Sequence, residues 1–270
     1  MPILRLALGQ TNPRLGDFGG NAVKILADVR LAFDAGADLV AFGEMSLSGY
    51  PIEDLATRPE FLCAARTALE ALARDIEAVG AGTVPVIVGF PHGPIAHEGT
   101  GAHAPTAIAH NSAAVLLNGC VAGIYNKHHL PNYSVFDEYR NFRPGTESLV
   151  LHLADTDVAL AICEDIWQEG NPLAALEQIN PGLLVVINGS PFERDKDEVR
   201  LPLVRRRAIQ LNAPVAYLNL VGGQDDLVFD GDSFVITNSG QVLARSPQFV
   251  ENLLIADVEV AQSTTRGEQP

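Results

Sequence analysis

The chain has few cysteines, and they form no pattern. Cys63, Cys120 and Cys163 are odd in number and far apart, which argues against the disulfide framework that staples small secreted domains. No CxxC pair exists, and His128 and His129 are adjacent, so they cannot share one helix face as paired ligands do; no metal site is expected. Positive charge is scarce as well: 18 Lys and Arg stand against 33 Asp and Glu, a net charge of −15. A surface this acidic repels phosphate backbones and argues against nucleic acid as a partner. The opening stretch MPILRLALGQ lacks the basic segment and long apolar run of a signal peptide, and runs such as LLVVI are too short to cross a bilayer. A soluble, cytoplasmic protein without membrane contact is expected. Also missing are G-x-G-x-x-G, G-x-x-x-x-G-K-[ST] and G-x-S-x-G, so no recognisable loop offers a nucleotide site.

What is present is ordinary globular material. The 270 residues are 47% hydrophobic, enough for one large domain with a substantial core. LRLALGQ (4–10) alternates like a half-buried strand. Residues 21–35 carry apolar side chains at helical spacing and stop at Gly36. ADLVAF reads as a short buried strand, and Pro59 opens a helix that runs on through EFLCAARTALEALARDIEAV. PVIVGF is a further strand, residues 91–106 a surface loop, and the two apolar runs around Asn118-Gly119 a hairpin. Residues 127–146 look irregular. DVALAI, a helix near 172–178, GLLVVI, a basic helix around 201–210, PVAYLNL, the hairpin FVITNSGQVLA and LLIADVEV complete the core. Alternating helices and strands followed by hairpins exclude a clean Rossmann sheet and predict an α/β fold with helices packed on mixed sheets.

Three polar residues share one local context, an apolar strand followed by a loop. Glu44 ends the strand in AFGEMSLSGYP, Lys127 ends the hairpin in IYNKHHLPNY, and Cys163 ends DVALAI in ICEDIW. A thiol followed at once by Glu164 and Asp165 is held neutral by their charges. It becomes a nucleophile only with a base and a cation nearby. Glu44 offers the base, and Lys127 the charge that stabilises thiolate and oxyanion, with backbone N–H groups around Cys163 and Glu164 as further donors. On the residues alone a lone cysteine on an apolar strand is usually a small buried packing residue, and a lysine beside Asn and His in a loop is usually solvated. Cys63, within a helix pattern, and Cys120, after a hairpin turn, read as packing residues. Asp225, Asp226, Asp230 and Asp232 lie in a turn-rich loop, where solvation explains them better than a metal.

At these residues the sequence resembles the nitrilase superfamily of carbon–nitrogen hydrolases, and within it the amino-terminal glutaminase domains of glutamine-dependent NAD+ synthetases. The stretches that carry the resemblance are GEMSLSGYPIEDL (43–55), NKHHLPNYSVFDEYRNFRPG (126–145), ICEDIW (162–167), NGSPFERDK (188–196) and VGGQDDLVFDGDS (221–233). The resemblance implies a four-layer α-β-β-α sandwich. It implies Glu44 as general base, Lys127 as catalytic cation, Cys163 as nucleophile and Glu138 as a second glutamate that orients the lysine. Tyr133, Ser190 and Lys196 match positions that bind glutamine, and the Glu164 N–H matches an oxyanion donor. Gly43 stands where proline is common and Gly189 where alanine is; neither change removes a functional group.

The implied reaction is hydrolysis of L-glutamine to glutamate and ammonia through a glutamyl thioester, with no cofactor. ATP, Mg and deamido-NAD+ would serve only a synthetase domain, the ammonia acceptor, whose SGGxDS phosphate loop is absent from this sequence. Residues 1–260 are expected to form the hydrolase domain and 261–270 a polar tail or the start of a linker. A homo-oligomer is expected. The alternatives are an excised domain, a stand-alone amidase for another small amide or a nitrile, and a non-catalytic subunit that keeps the fold.

Overall fold

The computed structural model describes residues 2–93 and 109–263; most of the 91–106 loop expected from sequence, and residues 264–270 of the expected tail, lie outside them. The first half of the chain runs β1 (Ile3–Gln10), α1 (Phe18–Asp34), β2 (Leu39–Phe42), α2 (Pro59–Ala78), β3 (Val86–His92), β4 (His110–Leu117), β5 (Cys120–Asn126) and a short α3 (Glu138–Asn141). The second half runs β6 (Val150–Leu153), β7 (Thr156–Ile162), α4 (Leu173–Ile179), β8 (Leu183–Asn188), α5 (Asp197–Leu211), β9 (Val215–Asn219), β10 (Val221–Gln224), β11 (Leu227–Asp230), β12 (Phe234–Ile236), β13 (Val242–Arg245) and β14 (Asn252–Glu259).

Two six-stranded mixed sheets result, ordered β14-β1-β2-β3-β4-β5 and β13-β12-β9-β8-β7-β6; β10 and β11 form a separate hairpin. The strand period of two sorts side chains between layers. Leu4, Leu6 and Leu8 join Val158, Leu160 and Ile162 in a core between the sheets. Ala7, Val40 and Phe42 point the other way and pack with Ile25, Val29, Leu69 and Leu72 of α1 and α2. On the far side Ala159, Ala161 and Val186 pack with Leu176 of α4 and with Val204 and Ala208 of α5. The layers are therefore helix, sheet, sheet, helix. Among the described residues no helix is long and apolar enough to cross a membrane.

Several local expectations change. β1 is buried on both faces from Leu6 onward, including Gly9 and Gln10, because helices cover one side of its sheet and the second sheet covers the other. β3 continues through Pro91 to His92, where it pairs with His110 of β4. The irregular stretch 127–146 contains α3. α1 begins three residues earlier than its apolar pattern, because the Asp17 carboxylate accepts from the Gly20 N–H and caps the helix. α5 likewise starts at Asp197 and runs through Pro202. Cys63 and Cys120 are exposed and pack against no core, since each falls on the solvent side of its element. The Asn118-Gly119 hairpin stands as read, with both turn residues at positive φ (49° and 71°), as a two-residue turn of this hand demands.

Candidate active site

The ends of β2, β5, β7 and β8 meet at one edge of the sandwich. Glu44 follows β2 in a tight turn, and β3 passes close beneath it. A Cβ at Gly89 would collide with the Gly43 carbonyl and the Met45 nitrogen, so only glycine permits this approach. Lys127 follows β5, fixed by its N–H to the Asn111 carbonyl at 2.9 Å. Its ammonium donates to Glu44 Oε1 at 2.8 Å and to Glu138 Oε2 at 2.9 Å, and the lysine side chain is 1% exposed. Glu138, brought in by α3, also accepts from the Tyr50 hydroxyl at 2.9 Å. Asn111 Nδ2 donates to both carboxylates, at 2.6 Å to Glu44 Oε1 and 3.1 Å to Glu138 Oε1. The second oxygen of Glu44 accepts from the Gly189 N–H at the end of β8, at 2.7 Å, a bond that links the two sheets.

Cys163 follows β7 at φ 45°, in the left-handed region that a residue with a side chain enters only when its surroundings impose it. Asp165 supplies that constraint. Its carboxylate accepts from the Ile162 N–H at 2.9 Å on one side of the turn, and from the Tyr125 hydroxyl at 2.8 Å. It also accepts from the N–H groups of His128 and His129, at 3.0 and 2.9 Å. One buried carboxylate thus ties the cysteine turn to the loop that carries Lys127. Glu164, also buried, accepts from the Tyr133 hydroxyl at 2.8 Å and from Gln168 Nε2 at 3.0 Å. Neither carboxylate after the cysteine hydrogen-bonds to the sulfur.

Electrostatics follow from burial. Desolvation opposes the Lys127 cation, but the charges of Glu138 and Glu44 overcome it and hold its pKa well above the ordinary lysine value. Burial pushes the Cys163 thiol well up; Glu44, Glu164 and Glu138 add to this, and Lys127 alone opposes it. The resting thiol is therefore neutral. Glu138 is raised to about 7, by burial first and by Glu44, against the pull of Lys127 and Tyr50. An ammonium between two carboxylates beside a neutral buried thiol can move a proton off sulfur and hold negative charge on a bound carbonyl.

Glu44, Lys127 and Glu138 come together as the sequence suggested, with Cys163 within their electrostatic reach. Tyr133 joins through Glu164. Ser190 is buried next to Gly189, its N–H held by Asn219 Oδ1 at 2.8 Å. Arg200 donates to the Ser190 hydroxyl at 3.2 Å and to its carbonyl at 2.8 Å, while gripping Asp230 through one nitrogen at 2.7 and 2.8 Å. Lys196 does not reach the cluster: it pairs with Glu193 at 2.7 Å and lies 5.6 Å from the Trp167 ring centroid. Asp225 and Asp226 are exposed, but Asp230 and Asp232 are buried on Arg200 and Arg245, so solvation does not account for that pair. Among the described residues no group of His, Cys, Asp and Glu could hold a metal ion. Asn111, Tyr50 and Arg200 were not singled out from the sequence, and Asp165 was noted only as a charge beside the thiol. Asn111 carries no local signal, because it lies between His110 and Ser112 at the polar start of β4, which turns apolar only from Ala113.

Comparison with known proteins places the chain in a family. The family model for carbon–nitrogen hydrolases matches residues 5–266. The glutamine-dependent NAD(+) synthetase of Acinetobacter baylyi is 37% identical over all of this chain and 47% of its own length. The Thermotoga maritima protein of the same name is 38% identical over 97% of this chain and 43% of its own. The chain thus spans about half the length of the curated relatives it matches. Among solved structures, the glutamine-dependent NAD+ synthetase of Acinetobacter baumannii, in complex with ADP, superposes with a TM-score of 0.83 at 34% identity, covering 99% of this chain and 48% of that one. An amidase variant from Nesterenkonia sp. AN1, carrying acrylamide added to its active-site cysteine, superposes with a TM-score of 0.77 at 25% identity, covering 95% of this chain and 93% of that one.

Proposed function

This chain belongs to the carbon–nitrogen hydrolase family, and within that family we propose that it hydrolyses the side-chain amide of L-glutamine through a thioester on Cys163. The observation that carries the reading is the buried Lys127 ammonium shared by Glu44 and Glu138 beside the Cys163 turn. Glu44 takes the thiol proton as sulfur attacks the amide carbonyl. Lys127 and the Glu164 N–H, at the start of a tight helical turn where N–H groups lack partners within the turn, stabilise the oxyanion. Glu44 then returns the proton to the leaving nitrogen, and ammonia departs. Water, deprotonated by the same carboxylate, attacks the thioester, and glutamate leaves with the thiol restored. Glu138 orients Lys127. No cofactor enters these steps.

Tyr133, Ser190 and Lys196 bind the α-amino and α-carboxylate groups, which need charged or polar partners once they leave water. Lys196 must exchange Glu193 for the substrate carboxylate, and its place over Trp167, four residues past Cys163, keeps it at the right end of the sheet. In this reading the ammonia acceptor is a cytoplasmic synthetase module that uses ATP, Mg and deamido-NAD+; the reading is supported by relatives named glutamine-dependent NAD(+) synthetase, one of them solved in complex with ADP. A second reading, a stand-alone amidase for a small amide, draws on the amidase neighbour matched over nearly its whole length.

Ammonia release from glutamine and from propionamide separates the two. Glutamine should be the better substrate. Lys196→Ala should raise its KM about tenfold, a loss of ~1.4 kcal/mol of binding, and leave propionamide hydrolysis nearly unchanged. Turnover of propionamide with none of glutamine favours the amidase reading.

A further inference from the structure

Asn111 sits at the centre of the acid–base cluster, and the reaction just described gives it no task. It is fully buried on β4. Its side-chain amide donates to Glu44 and to Glu138, and its backbone carbonyl accepts from Lys127. One residue therefore touches both carboxylates and the lysine that bridges them. The other end of the amide argues against a packing role: Oδ1 is buried with no hydrogen-bond partner. Turning the amide over would set that oxygen against two carboxylates, acceptor on acceptor. The orientation with the orphaned oxygen is the one the carboxylates impose. A buried unmet acceptor is unfavourable, and an apolar side chain of the same size would avoid it. What the amide supplies in exchange is its two donors.

Those donors answer a charge problem. Two carboxylates share one ammonium, and burial favours the protonated form of any carboxyl group left short of partners. The groups that face the pair are Lys127 from β5, Tyr50 from the loop after Glu44, the Gly189 N–H from β8 and the neutral Cys163 thiol. Lys127 supplies the only positive charge among them. A second cation would trap the carboxylates as a permanent ion cluster and weaken the base. A neutral amide strengthens hydrogen bonding to the ionised forms and adds no charge.

We infer that Asn111 is a positioning residue whose amide bridges Glu44 and Glu138 and keeps the pair in the proton-accepting form that Cys163 needs. The inference rests on the reading of Glu44 as the base.

The test is kcat/KM for glutamine against pH in the parent chain, Asn111→Leu and Asn111→Asp. Without the donors the carboxylates keep their proton to higher pH. The acid limb should move up by about one unit in Asn111→Leu, the scale on which hydrogen bonds to a carboxylate act, and further in Asn111→Asp, which adds an acceptor and a charge. Asn111→Ser, which keeps one donor, should lie between parent and Asn111→Leu. KM should change less than about threefold, because the residue does not touch substrate. A loss of activity by the same factor at every pH, with the limb unmoved, is the signature of packing and overturns the inference. Should Asn111→Leu not fold, the near-isosteric Asn111→Asp and the smaller Asn111→Ser decide the question.

A second arm does not depend on glutamine. Alkylation of Cys163 by iodoacetamide, followed on its own peptide by mass spectrometry, should show the same displaced limb. A parent chain inert toward glutamine would remove the substrate assignment. Superimposable Cys163 alkylation profiles in parent and variants would instead remove the role of Asn111.

Discussion

Lys127 is a cation taken almost wholly out of water, and two carboxylates make that tolerable. Breaking such a group by removing one partner is far more damaging than any surface pair, of the order of 3–5 kcal/mol. Lys127→Ala is therefore expected to lower thermal stability and, where folded protein is recovered, to reduce glutamine turnover by at least a hundredfold to a thousandfold, roughly the value of one oxyanion donor. Lys127→Arg keeps the charge but replaces a compact ammonium with a planar fork, which this enclosed site cannot seat between Glu44 Oε1 and Glu138 Oε2. Stopped assays on the purified variants check both; near-parental turnover in Lys127→Arg would show that position and shape at this residue do not matter. At this scale the sequence was informative where a residue type is rare in its setting. A lysine, a glutamate and a cysteine each ending an apolar strand are conspicuous. Asn111 is not, because its meaning depends on side chains from β2 and α3 that no local spacing connects to it. At Lys196 the charge was noticed from the sequence, and its partner Glu193, three residues away, was not.

The element that matters most is the turn after β7. Its left-handed cysteine is imposed by Asp165, which reaches across to the loop after β5. The sequence pointed to Asp165 only as a charge that holds the thiol neutral and gave no hint of this structural tie, since hydrogen bonds between two loops leave no periodic trace. Asp165→Asn puts an NH2 group where an oxygen now accepts from backbone N–H groups. At least one donor then meets a donor, and about 1–3 kcal/mol of stability should be lost. The slack this introduces between the cysteine turn and the Lys127 loop should lower kcat for glutamine more than it changes KM. Chemical denaturation and steady-state kinetics on the same preparation read both effects. Unchanged stability and kcat would show that the tie is dispensable. Other elements were legible because their rules are local: the Asn118-Gly119 turn and the Gly36 helix stop each depend on a few adjacent residues.

For the whole molecule, the site exists only because two sheets pack face to face. Glu44 and Lys127 extend from one sheet, Cys163 and Gly189 from the other, and the bond from the Gly189 N–H to Glu44 crosses between them. Helices packed on mixed sheets were visible in the order of helices, strands and hairpins, and the four-layer sandwich followed only from the family resemblance. The burial of β1 on both faces from Leu6 onward was not visible, because a strand that looks half-polar can still be covered when its Gly and Gln lie under a second layer. Gln10 is the case in point: its amide, deep in the fold, bonds to the Ser233 hydroxyl and to the Pro247 and Val250 carbonyls, contacts more than two hundred residues away in sequence.

The central claim is that Cys163 carries the acyl group of glutamine. Rapid mixing of the chain with glutamine, acid quenching and peptide mass spectrometry test it most directly. The account predicts a glutamyl thioester on the peptide that holds Cys163, absent from Cys163→Ala together with ammonia release, while Cys63→Ala and Cys120→Ala, at exposed positions, form the adduct as the parent does. Ammonia released from glutamine by Cys163→Ala at the parental rate would contradict it.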